Sequence, residues 1–215
     1  MGQITRLGRF GMFVALLSAA SVCSFADQIT FTVETSGAPV SLGDPVTIAI
    51  GITGLGANAA PSLGAFDMEV DYNPLVLGSP SVSFGDPILG DQLALTFPSF
   101  KCTGLITACG LSSFPLELEE VSLDPGATLN ASQAGAFIMA EITFAATGVG
   151  TSDITLSNVS LADAFGASLG GNLIILNGQV HVASPIVDTP EPGSLLLLAS
   201  GLAGLLLRRF RTQSN

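Results

Sequence analysis

Apolar and polar side chains alternate in strict two-residue steps along most of this chain. Between Gly64 and Tyr72, Phe66, Met68, Val70 and Tyr72 fall on one side, and Asp67, Glu69 and Asp71 on the other. Successive side chains of an extended backbone point to opposite faces. The pattern therefore describes a strand with one face in a core and one in water. Ile29, Phe31 and Val33 repeat it against Thr30, Thr32 and Glu34, as do Val46, Ile48, Ile50 and Ile52. The same criterion predicts strands over 81–84, 92–97, 116–123, 136–146, 153–161 and 173–182, about nine in all.

Two of these segments change phase. Ile154 and Leu156 share a parity that Val159 and Leu161 do not, and Leu116 and Leu118 give way in the same manner to Val121 and Leu123. Such a change predicts a β-bulge or a strand crossing between sheets. No apolar helical period in this region exceeds two turns. Turn formers separate the strands at Gly43-Asp44-Pro45, Asn73-Pro74, Gly85-Asp86-Pro87, Asp124-Pro125-Gly126 and Asn177-Gly178. The prediction is an all-β fold, a jelly-roll-type β-sandwich over residues 27–182.

Charge is segregated. Lys101 is the one Lys or Arg between Arg9 and Arg208, against 17 Asp and Glu. This excludes a general nucleic-acid binder, which needs cations to displace counterions from phosphate. With one His, one Tyr and no Trp, acid–base chemistry has few carriers. The sequence predicts no enzyme, no catalytic residue and no cofactor site.

Asp67, Glu69 and Asp71 stand about 7 Å apart along their strand. They form either a solvated strand face or a metal site, since neighbouring carboxylates can hold calcium. A glycosidase pair lacks the aromatic platform that sugar needs, with Trp absent and Tyr72 on the opposite face. Asp86 to Asp91 lacks the ligand spacing of a calcium-binding helix–loop–helix. His181 alternates with Val180 and Val182 outside the core and has no identifiable Ser or Cys partner. Phe97, Phe100 and Phe114 are either the edge of the core or an exposed contact patch.

The ends of the chain carry addresses. Residues 1–26 read as a secretory signal peptide: Arg6 and Arg9, an apolar run from Phe10 to Ala20, then Ser24-Phe25-Ala26 as a cleavage site. In an exported chain that begins at Asp27, Cys102 and Cys109 either close one local disulfide or remain free thiols, and export favours the disulfide. At the other end, Pro190-Glu191-Pro192-Gly193-Ser194 precedes an apolar run from Leu195 to Leu207, closed by Arg208-Arg209-Phe210-Arg211. The strict run falls short of the roughly 17 to 25 residues of a membrane span. Counted from Pro192, with the arginines reaching back to the interface, it crosses and leaves its cationic end cytoplasmic. The expected layout is a linker at 183–189, a segment with a single transmembrane helix at 190–211, and a tail at 212–215.

This tripartite segment resembles the PEP-CTERM sorting signal of Gram-negative bacteria. The resemblance implies that an exosortase-like membrane protease reads Pro190, Glu191 and Pro192. It also implies a membrane-anchored precursor that ends at the cell surface or in an exopolysaccharide matrix. A second resemblance spans the body. The segments Val40 to Ile48, Gly64 to Pro74, Val82 to Asp86, Ala140 to Phe144, Leu156 to Asp163 and Asn177 to Val182 are similar in order to a cohesin domain. That family implies a binding or assembly module with a dockerin-like protein as partner. A structural matrix protein without a discrete ligand and a polysaccharide-binding module are the alternatives. Residues 98–114, with their cysteine pair, depart from a plain cohesin.

Overall fold

The alternating residues build two packed sheets. The structure, a computed structural model, describes residues 28–35, 37–184 and 196–203. The signal segment 1–26 and Pro190, Glu191 and Pro192 lie outside the described residues. Among the described residues there are eleven strands: β1 (Ile29–Glu34), β2 (Val40–Ser41), β3 (Pro45–Thr53), β4 (Leu63–Asp71), β5 (Leu77–Phe84), β6 (Phe100–Thr103), β7 (Leu116–Val121), β8 (Ala136–Ala146), β9 (Gly150–Asp163), β10 (Leu173–Leu176) and β11 (Gly178–Ala183). One sheet has the order β10-β1-β3-β8-β5 and the other β2-β11-β9-β4-β7-β6. Phe31, Ile48, Ile50, Ile52 and Phe144 from the first meet Phe66, Met68, Val70, Leu116 and Leu118 from the second, all nearly or fully excluded from water. Tyr72 closes one end of this core, its ring 4.8 Å from that of Phe144.

The expected phase change in β9 is a bulge. Asp67 pairs with Ser160 and Glu69 with Ser157, so three steps on β9 face two on β4. Asn158, at φ 50°, absorbs the extra residue. Asn is one of the few non-glycine residues that tolerate this conformation.

The phase change in β7 has another cause. β4 and β7 pair in unbroken register from Ala65–Val121 to Val70–Leu116. The strand keeps its phase, so Glu120 points inward and Val121 outward, and Leu123 beyond the strand is exposed.

Residues 92–97 do not form a strand. The Asp124 carboxylate accepts the backbone N–H groups of Leu95, Thr96 and Phe97 at 2.7 to 3.1 Å, taking the donors that a ladder would use. Fully buried Gln133 binds the carbonyl of Gln92 and both backbone polar groups of Leu63. Gln133 follows the short helix α1 (Gly126–Ser132), which the apolar pattern did not announce. The predicted strand over 173–182 divides at Asn177. β10 runs parallel to β1 in one sheet, and β11 runs antiparallel to β9 in the other.

Residues 196–203 are helical, with Leu196, Leu197, Leu198 and Leu202 exposed. Among the described residues no helix is long and apolar enough to cross a membrane.

Candidate functional site

The outward face of the six-stranded sheet concentrates negative charge. β4 contributes Asp67, Glu69 and Asp71, and β7 contributes Glu117 and Glu119. The register sets Asp67 directly opposite Glu119 and Glu69 opposite Glu117. Like charges facing each other across a ladder are unfavourable, so the sheet tolerates this arrangement rather than gaining from it. Burial, then Glu117, then Glu69 raise the pKa of Asp67 above its usual value. On β9, Ser157 donates to Asp71 at 2.6 Å, and its hydroxyl lies 3.3 Å from Glu69. Asp153 continues the face and accepts a hydrogen bond from Gln179 at 2.6 Å. His181 is exposed on β11, its Nδ1 3.2 Å from the Thr151 hydroxyl.

The outward face of the other sheet differs. It shows mainly hydroxyls, with Thr47 and Thr143 bonded across strands at 2.9 Å, and two strand acids, Glu34 and Glu141. Asp67, Glu69 and Asp71 lie in line along β4. Among the described residues no group of three or more His, Cys, Asp or Glu side chains gathers as a metal site.

The lysine does not answer this acidic face. Lys101 pairs with Glu120 across the β6–β7 ladder, on the inward side. Its ammonium contacts the Asp91 carboxylate, lies 3.8 Å from Glu120 Oε1, and stands 5.8 Å from the centre of the Phe84 ring. The Ser99 hydroxyl donates to Glu120 Oε1 at 2.6 Å and is 3.4 Å from Asp91 Oδ2. Glu120 Oε2 is buried and has no hydrogen-bond partner among the described residues.

Burial is the main cause that pushes the Glu120 carboxyl up to about 8, with the Asp91 charge adding and Ser99 and Lys101 opposing. Burial also acts to raise Asp91, but hydrogen bonds from Lys101 and the Leu93 N–H outweigh it and leave its carboxyl below the ordinary range. The sequence pattern did not single out this group. Its trace was the inverted parity at Glu120 and the presence of one lysine in an acidic body.

Next to Lys101, Cys102 and Cys109 form a disulfide and close the loop that follows β6. Phe97, Phe100 and Phe114 are each about half exposed. Phe114 also stacks edge-on against Tyr72 at 5.5 Å.

No curated protein matches the chain in sequence. Residues 188–211 match the PEP-CTERM protein-sorting motif. The body matches solved cohesin structures. A type I cohesin–dockerin complex from Clostridium thermocellum aligns at a TM-score of 0.54 with 12% identity, covering 74% of this chain and 95% of that one. The second type II cohesin module of an adaptor scaffoldin from Acetivibrio cellulolyticus aligns at 0.55 with 11% identity, covering 78% and 96%. A cohesin module from a Clostridium perfringens family 33 glycoside hydrolase aligns at 0.52 with 10% identity, covering 74% and 98%. At these identities the likeness is one of fold. The chain thus joins a β-sandwich body of cohesin fold to a PEP-CTERM protein-sorting motif.

Proposed function

We propose that this protein is an exported, non-catalytic surface module that holds a cationic protein on the outward face of its six-stranded sheet. Export starts with a signal peptide over 1–26. The segment 190–211 then anchors the precursor in the membrane of a Gram-negative cell until an exosortase-type protease acts at Pro190-Glu191-Pro192.

The observation that carries the binding role is the acidic face itself. Asp67, Glu69, Asp71, Glu117, Glu119 and Asp153 share one surface, and the one lysine of the body points to the other side of its strand. An anionic surface steers a basic partner and repels acidic ones. One matched structure is a cohesin–dockerin complex, which supports a protein as the partner.

The test uses the mature protein, immobilised and exposed at low salt to the secreted fraction of its own cells. One protein should be retained in stoichiometric amount, released as salt rises, and not retained by the triple variant Asp67→Lys, Glu69→Lys, Glu119→Lys. Equal retention of the same protein by the variant, or retention indifferent to salt, would sink the proposal.

A further inference from the structure

Lys101, Asp91 and Glu120 meet where the two sheets share an open edge. Lys101 is on β6, the outer strand of the six-stranded sheet, and Glu120 is beside it on β7. Asp91 is in the loop after β5, the outer strand of the five-stranded sheet. The loop is held to bring Asp91 there. Asp91 Oδ1 accepts the Leu93 N–H at 2.9 Å, and Gln92 and Leu93 are buried beside it. Gly85 lets the backbone of Asp91 come close. A Cβ at Gly85 would lie 3.0 Å from Asp91 Cα, and its φ of +98° disfavours any other residue.

We propose that Lys101 and Asp91 become joined by an amide bond formed within the folded chain, with Glu120 carrying the protons. Three observations support it. The lysine nitrogen is in direct contact with the carboxyl group it would attack. A second carboxyl, that of fully buried Glu120, lies within 4 Å of that nitrogen and leaves one oxygen without a partner among the described residues. The Phe84 ring covers the lysine from the side of the core. An ion pair requires neither the buried acid nor the orphan oxygen, whereas amide formation uses a group able to both give and take a proton. Held in contact, such groups act at effective concentrations of roughly 10⁵ M or more.

The step balances without a co-reactant. The Lys101 ammonium first passes one proton to the Asp91 carboxylate. The neutral Nζ then attacks Asp91 Cγ, and the Nζ–Cγ bond forms. Glu120, which its buried site keeps protonated near neutral pH, gives its proton to the departing hydroxyl and takes one from Nζ. The Cγ–O bond breaks, one water leaves, and Glu120 ends as it began. The product ties the edges of the two sheets together, next to the disulfide between Cys102 and Cys109.

Mass spectrometry of the full exported chain, denatured and reduced, tests this directly. The mass should be one water below that calculated for a chain with the same termini and no cross-link. Lys101 is the one tryptic site between Arg9 and Arg208, and trypsin should fail to cut there because the lysine is acylated. In Glu120→Gln both the missing mass and the tryptic cut should return, and Lys101→Arg should also restore the full mass. A wild-type chain of full mass that trypsin cleaves at Lys101 would show a plain ion pair and overturn the proposal. A water loss located away from Lys101 would overturn it equally.

Discussion

Glu120 makes the stability of this domain fall with rising pH, against the usual behaviour of a paired carboxylate. Its ordinary pKa is 4.5, and burial in the fold pushes it up to about 8. Between those values the folded chain holds one proton more than the unfolded chain, so each step up in pH favours unfolding. The contribution is complete below 4.5 and is lost as pH climbs through the window to about 8, where it levels off. One pH unit is worth about 1.4 kcal/mol while the folded group stays protonated, and the slope halves at about 8, so the passage from pH 6 to pH 8 removes roughly 2 kcal/mol. That is a large part of the roughly 5 to 15 kcal/mol that holds an ordinary domain together. Burial is the leading cause and persists whether or not Lys101 and Asp91 are joined. Asp91, held low, would act in the opposite sense and at acid pH, outside this interval. Urea unfolding followed by circular dichroism at half-unit pH steps measures the effect. With a urea slope of about 1 to 3 kcal/mol/M, the midpoint should fall by about 0.8 to 2 M between pH 6 and 8. Glu120→Gln has no proton to lose there and should give a flat profile, whatever its absolute stability. A wild-type midpoint that stays level or rises over this range would refute the reasoning, as would an unchanged fall in Glu120→Gln.

Two further outcomes are expected. Phe66 is 2% exposed and packs 6.2 Å from the Phe84 ring, so Phe66→Ala should lower the unfolding free energy by about 3 to 5 kcal/mol in the same urea assay. A loss below about 1 kcal/mol would mean that the β4 core face is wrongly assigned. Deleting residues 195–215 removes the apolar run after the body, so the exported protein should pass from the membrane to the soluble fraction on cell fractionation. Unchanged membrane retention would end the anchoring role.

Strand positions and core residues were legible because one face of each sheet meets water and the other meets its partner sheet. That contrast writes a two-residue period directly into β1, β3 and β4. The bulge in β9 was legible for the same reason, since an extra residue inverts the period. The identical signal in β7 meant something else. Parity records which side a residue takes only while inward means apolar, and Glu120 breaks that condition by pointing inward as an acid.

The sequence by itself determined the sandwich class, the cysteine pair, the acidic strand face and the sorting segment. Each of these rests on local composition, spacing or alternation. Tertiary structure alone decided that 92–97 is a loop, because the competing acceptor, Asp124, is distant in the chain. It alone divided 173–182 between two sheets. It also brought Asp91, Lys101 and Glu120 together from a loop and two strands, in a contact that no single segment encodes. Such groupings depend on register and on the packing of the sheets, which arise from the whole fold.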